Sequence, residues 1–273
     1  MNGNLKVLIF TDLDGTLLDH HTYSFEAAIP ALKVLVEKDI PLIICTSKTR
    51  AEIEKVRLEL ANTDPFISEN GGAVFIPKGY FLHPFSYTKE DPEYFIIELG
   101  TPYDEIRAVL NQIKERFPGK IKGFGDLSPQ EVSDLCNLSL QQANLAKRRE
   151  YDEPFILKDE NAVDEVKEIA SYSNLQITRG GRFYHLIGNN DKGKAVRLLR
   201  DIYGEKNKHL KTIALGDSQN DLPMLKMVDY PVLVQKPDGH YDPSVTLDNL
   251  ILAEGIGPAG WHETILKILN KLS

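Results

Sequence analysis

Short, almost wholly apolar runs separated by amphipathic stretches set the pattern of this chain. Lys6-Val-Leu-Ile-Phe10 is such a run and ends in Thr11-Asp12. A run without alternation is buried on both faces, so it predicts a parallel strand rather than a half-exposed one. Phe25, Ala28, Ile29, Leu32, Leu35 and Val36 then recur at three- and four-residue spacing, the mark of an amphipathic helix. Residues 40–45 form a second buried strand. A helix opens in the next few positions, where Thr49 and Glu52 make a capping-box pattern. Short strands are predicted at 65–67 and 73–76, around the turn Glu69-Asn70-Gly71-Gly72. The texture changes at about residue 84. From there to about 188 the pattern predicts strands at 120–124, 153–157, 175–178 and 182–187, and helices at 103–117, 140–149 and 161–172. The first pattern then resumes with a helix at 192–203, strands at 211–215 and 230–234, and a closing helix at 261–272.

This alternation predicts an α/β fold: a Rossmann-like, doubly wound parallel sheet with helices on both faces. Into it is set an inserted α+β domain. The expected division is a core of 1–83 and 189–273 and an insertion of 84–188. A length of 273 residues suits one large or two modest domains.

Composition narrows the function. Apolar residues at 42% and charged residues at 26% exclude a disordered, collagen-like or disulfide-stapled chain. Lys and Arg number 32 against 40 Asp and Glu, a formal net charge of -8. No dense basic run offsets this, so nucleic acid is not an expected partner. An anionic ligand must be held by a few locally placed cations. Cys45 and Cys136 form no C-x-x-C pair, so neither a zinc site nor a redox motif is expected. A reducing cytoplasm fits best. No signal peptide is visible in the first six residues, and no apolar stretch approaches the ~20 residues that span a bilayer, so no membrane role is expected. The oligomeric state stays open.

Four places carry candidate chemistry, and three of them follow buried strands. Asp12-Leu13-Asp14-Gly15-Thr16 crowds two carboxylates at a strand end, where repulsion and desolvation ask for a compensating cation. Gly216-Asp217-Ser218-Gln219-Asn220-Asp221 supplies two more carboxylates for a hard cation such as Mg²⁺. Thr46 and Ser47 offer hydroxyls at a strand end with helix N–H groups behind them, a phosphate cradle. Lys192 lies in the first turn of a helix, against the dipole preference, which points to an anion in front of it. Each has an ordinary reading too: an Asp-Gly turn, an acidic first helical turn, a Ser/Thr cap, a solvated Lys. Two acidic strand ends separated by most of the chain make coincidence much less credible. In a parallel sheet both sit at the carboxyl edge, where such folds bind ligands.

In this order the motifs resemble the haloacid dehalogenase superfamily of phosphohydrolases, and the insertion resembles its C2-type cap of the B subtype. Thr46-Ser-Lys-Thr-Arg-Ala-Glu52, Pro65-Phe-Ile-Ser-Glu-Asn-Gly-Gly72, Tyr151-Asp-Glu-Pro-Phe155, Arg179-Gly-Gly-Arg-Phe-Tyr-His185 and Gly257-Pro-Ala-Gly-Trp261 are similar to the mannosyl-3-phosphoglycerate phosphatase group. Many relatives carry T-G-R where this chain has Thr46-Ser47-Lys48, a departure that this group shares.

The resemblance implies a Mg²⁺-dependent phosphomonoester hydrolase acting on a small phosphorylated glycoside. Asp12 would be the nucleophile that forms an aspartyl-phosphate, and Asp14 the acid and then the base. Asp12, Asp14 through its backbone carbonyl, Asp217 and Asp221 would form the metal site, and Thr46, Ser47 and Lys192 would hold the phosphoryl oxygens. Lys48, Arg50, Arg179 and Arg182 would meet the anionic ends of the substrate. Asn70, Asn220, Asp152 and Glu153 are candidates for sugar hydroxyls. His20 and His21 read as surface residues beside the first motif. Tyr184 and His185 alternate with Phe183 and Leu186, so either can face the site or the core. The expected substrate is mannosyl-3-phosphoglycerate. Glucosyl-3-phosphoglycerate or sucrose phosphate are alternatives, and so is a phosphosugar mutase.

Overall fold

The computed structural model describes residues 6–180, 182–205 and 209–272. The reading of the extreme N-terminus, up to residue 5, and the second glycine of the Gly-Gly turn, Gly181, lie outside them. Among the described residues the strands are β1 (Lys6–Thr11), β2 (Leu42–Cys45), β3 (Phe66–Ser68), β4 (Ala73–Pro77), β5 (Lys89–Glu90), β6 (Tyr94–Glu98), β7 (Ile121–Gly123), β8 (Asp152–Leu157), β9 (Gln176–Gly180), β10 (Phe183–Ile187), β11 (Leu210–Gly216), β12 (Tyr230–Gln235) and β13 (Ile251–Ile256). They form a first sheet of order β13-β12-β11-β1-β2-β3-β4-β6-β5 and a second of order β7-β8-β10-β9.

The run from β13 to β3 is parallel. Its residues alternate between two apolar layers. Ile9, Ile44, Ile213 and Leu215 enter one, with Trp261 and Ile265 of the closing helix. Leu8, Phe10, Ile43, Cys45 and Ala214 enter the other, with Val196 and Leu199 of the helix Lys192–Gly204. Burial on both faces is why these strands read as continuous apolar runs. Because β1 lies between β11 and β2, the residues that follow all three strands emerge side by side at one carboxyl edge. Trp261 anchors this edge: its indole N–H donates to Thr11 Oγ1 at 3.0 Å, and Thr11 Oγ1 donates to the Asp12 carbonyl at 2.7 Å. No helix among the described residues is long and apolar enough to cross a membrane.

The stretch that begins the expected insertion behaves otherwise. β6 pairs antiparallel with β4, and β5 with β6, so residues 89–98 extend the first sheet. Tyr94 and Ile96 pack into one of its layers, and Phe95 and Ile97 against the other. The N–H groups of Leu99 and Gly100 then donate to the Gly72 carbonyl, where the chain leaves for the second sheet. That antiparallel sheet carries the helices Tyr103–Arg116 and Val163–Ser171 over a separate core of Ile106, Leu110, Phe155, Val166 and Leu186. A helix at Pro129–Cys136 and the strand β13 go beyond the sequence pattern. The expected helix at 140–149 stops at Ala146.

The turn after β3 ties the two sheets together. Glu69 and Asn70 both adopt positive φ, and Gly71 follows at φ +84°. A Cβ on Gly71 would lie 2.2 Å from the Asp191 carbonyl oxygen. Asp191 in turn caps the helix that carries Lys192, accepting from the Lys194 N–H at 2.8 Å. Gly71→Ala is therefore expected to destabilise the fold by about 2–4 kcal/mol through backbone strain and overpacking. Urea unfolding checks this, and a wild-type midpoint would refute the packing argument.

Candidate active site

Asp12 follows β1 and its N–H donates to the Leu215 carbonyl at 2.9 Å, which aligns the ends of β1 and β11. Lys192 reaches between the two acidic motifs. Its Nζ donates to Asp12 Oδ1 at 2.7 Å and Asp221 Oδ1 at 2.6 Å, with its side chain wholly buried. The sequence pattern put Lys192 in a helical first turn facing an anion, and these anions are carboxylates of the protein. Asp221 Oδ2 accepts the N–H groups of Asp217 and Ser218 at 3.0 and 3.1 Å. Asp217 Oδ1 accepts from Ser218 Oγ at 2.5 Å. Gly15 stands at φ +75°, and a Cβ there would lie 2.8 Å from Asp217 Oδ2, so only glycine lets the first loop pass so close to the second motif.

The carboxylates of Asp12, Asp217 and Asp221 are buried, and each offers an oxygen within 4.8 Å of the others. One ammonium faces three acids. Burial, and then the charges of Asp221 and Asp12, push the Asp217 carboxyl above its ordinary range. A buried, oxygen-only donor set with surplus negative charge fits a hard divalent cation. Both Asp221 oxygens are already engaged, which suits it to supporting such a site as much as to ligating directly.

The Asp14 carboxyl turns out of this cluster. Oδ2 accepts from Lys48 Nζ at 2.8 Å, and Oδ1 is buried without a hydrogen-bond partner among the described residues. The side chain keeps 39% of its surface open and lines the cleft. Desolvation raises its pKa, against the opposing charge of Lys48. Lys48 also lies 3.6 Å from Glu52, and Glu52 closes the capping box on Thr49. Thr46 is buried at the end of β2, and Ser47 lines the cleft beside Lys48.

The far wall of the cleft comes from the second sheet and its helices: Phe124, Cys136, Leu138, Arg149, Pro154, Arg182, Phe183 and His185. Arg182 thus lines the cleft. Arg179 does not. It turns to Glu160 at 3.4 Å and Tyr184 Oη at 3.2 Å, its cross-strand neighbour on β10, while Arg182 lies in the turn between the two strands. Arg50 also lies elsewhere: it bonds Glu54 at 2.8 Å and Asp91 at 2.7 Å and stacks on Phe75 and Tyr94. Glu153 is consumed by Tyr103, Arg107 and the Gly125 N–H. Asn70 is buried behind the cleft. It donates to Asp152 Oδ2 at 2.7 Å and accepts at Oδ1 from Asn220 Nδ2 at 3.0 Å, while Asn220 itself lines the cleft. Of the two histidines near the first motif, His20 lines the cleft. Tyr184 packs into the second core, and His185 faces the cleft.

Arg149 and Tyr23 are among the lining residues that escaped the sequence pattern. Arg149 sits in Lys147-Arg-Arg-Glu150, which reads as a solvated charge run, but its Nη1 donates across to the Ser47 carbonyl at 2.7 Å. Tyr23 carried no signal at all and lies with Lys48 Nζ 5.1 Å from its ring centre.

The model of the haloacid dehalogenase-like hydrolases matches residues 9–238. A glucosyl-3-phosphoglycerate/mannosyl-3-phosphoglycerate phosphatase of Methanococcoides burtonii is 55% identical over 98% of both chains. A mannosyl-3-phosphoglycerate phosphatase of Pyrococcus horikoshii is 38% identical over 83% of this chain and 90% of its own. Among solved structures, the sucrose-phosphatase of a Synechocystis species has a similar fold, with a TM-score of 0.62 at 13% identity over 98% of each chain.

Proposed function

Because the chain belongs to the haloacid dehalogenase-like hydrolase family, we propose that it is a Mg²⁺-dependent phosphatase that releases phosphate from mannosyl-3-phosphoglycerate and glucosyl-3-phosphoglycerate. The observation that carries the substrate is the relative that is 55% identical along the whole chain and named for both esters. The cleft chemistry supports it. Lys48, Arg149 and Arg182 place cations around one cavity, which suits a ligand bearing both a phosphate and a carboxylate.

In this reading an oxygen of Asp12 attacks phosphorus. The bond from phosphorus to the glycerate oxygen breaks, and Asp14 gives its proton to the departing alkoxide. Desolvation shifts the Asp14 carboxyl in the direction a proton donor needs. Asp14, now ionised, then takes a proton from water as the water attacks phosphorus. This frees Asp12 and inorganic phosphate. Lys192 fixes the orientation of Asp12, and Thr46 and Ser47 hold the phosphoryl oxygens. Asp12, Asp217, Asp221 and the Asp14 carbonyl would hold Mg²⁺, which when bound supplies charge neutralisation for phosphoryl transfer. The second sheet and its helices act as a cap over the leaving group.

Phosphate release from both glycosyl esters is expected to exceed that from mannose 6-phosphate and to fall at least about 100-fold with EDTA. Release from none of these, with p-nitrophenyl phosphate still cleaved, would keep the phosphatase and discard the substrate.

A further inference from the structure

The cap carries a buried acid–imidazole pair that the reaction described above does not use. His185 Nδ1 lies 2.9 Å from both Asp152 oxygens, and Asp152 is fully buried. Asp152 Oδ2 also accepts from Asn70, and Asn70 accepts from Asn220, so a chain of side chains runs from the cap into the core. The carboxylate accepts, which places the imidazole proton on Nδ1. In the neutral ring Nε2 is then a lone-pair acceptor. It has no hydrogen-bond partner among the described residues, and the ring lines the cleft.

An acceptor at this point is selective. Phosphate and carboxylate need donors, which Lys48, Arg149 and Arg182 supply. A glycosyl-3-phosphoglycerate has its glycerate C3 oxygen esterified and its C2 oxygen in the glycosidic bond. All its free O–H groups are therefore on the sugar. We propose that His185 reads the sugar: its Nε2 accepts a glycosyl hydroxyl, with Asp152 as the positioning residue that fixes the tautomer and Asn70 and Asn220 fixing Asp152 from the core. This rests on the substrate class proposed above. Mannose and glucose differ only at C2, so an enzyme that uses both presents His185 to a hydroxyl they share.

The test compares kcat/KM for mannosyl-3-phosphoglycerate, glucosyl-3-phosphoglycerate and 3-phosphoglycerate in the wild type, His185→Ala, His185→Gln and Asp152→Asn. His185→Ala is expected to lower kcat/KM for both glycosyl esters about 10- to 100-fold relative to 3-phosphoglycerate. His185→Gln, which keeps an acceptor at similar reach, is expected to recover part of that selectivity. Asp152→Asn is expected to lose it while nitrogen-15 NMR shows His185 leaving the Nδ1–H tautomer. Equal losses on all three substrates would make the pair structural and overturn the proposal, as would unchanged selectivity in His185→Ala. A wild type that hydrolyses neither glycosyl ester would instead overturn the substrate reading, before any variant is compared.

Discussion

Asp12→Asn is expected to leave a folded protein that releases phosphate at least about 10⁴-fold more slowly than the wild type. Asn has the shape of Asp and can still accept from Lys192 with its carbonyl oxygen. The backbone at this point is held by the Thr11–Trp261 contacts and the N–H bond to Leu215, none of which involves the Asp12 side chain. The substitution also removes one of three crowded acids, so little stability is at stake. What is lost is the nucleophile, since an amide oxygen does not form the acyl-phosphate bond. Rapid acid quenching with labelled substrate should trap label on the wild type and none on the variant. A folded variant with more than a small residue of activity would mean that water attacks phosphorus directly, and that Asp12 only holds charge.

The legibility of the sequence differs sharply between the two sheets. β1 and β2 are buried on both faces over most of their length and read as apolar runs, β11 does so over residues 213–215, and Asp12, Thr46 and Asp217 follow directly at their ends. Their proximity follows from β1 lying between the other two, a consequence of parallel topology. β6 lies outside the strands that the pattern predicts, and its membership in the first sheet depends on a partner, β4, that local pattern does not identify. In β10 both faces carry large side chains. Alternation says that Tyr184 and His185 point apart, and only the helices packed behind decide that Tyr184 goes to the core. The same holds for charge. Arg179 and Arg182 flank one turn, yet Glu160 captures the first and leaves the second to the cleft. Arg149 shows the converse, because a long-range partner, the Ser47 carbonyl, turns one member of a basic run inward.

Lys192→Met is expected to cost both stability and catalysis. Lys192 is the sole cation hydrogen-bonded to the cluster of Asp12, Asp217 and Asp221 among the described residues. Burial opposes its charge, but Asp12 and Asp221 outweigh that effect and push its pKa up, so it stays an ammonium across the working range. Methionine fills most of the same space, which isolates the charge from the packing. Without the ammonium, buried carboxylates lose their hydrogen-bonded counterion, a change that typically destabilises by about 3–5 kcal/mol. Turnover should fall about 10³-fold or more, because Asp12 loses the contact that aims it and the transferring phosphoryl group loses a fixed positive charge. Urea unfolding in EDTA reads the first effect without metal, and initial rates of phosphate release at saturating Mg²⁺ read the second. Added Mg²⁺ should raise the variant's unfolding midpoint more than the wild type's, since a cation bound only by the folded state takes over part of the missing compensation. A variant as stable as the wild type in EDTA, yet slow, would show that the carboxylates do not depend on Lys192 for their charge balance. Lys192 would then act on the substrate alone.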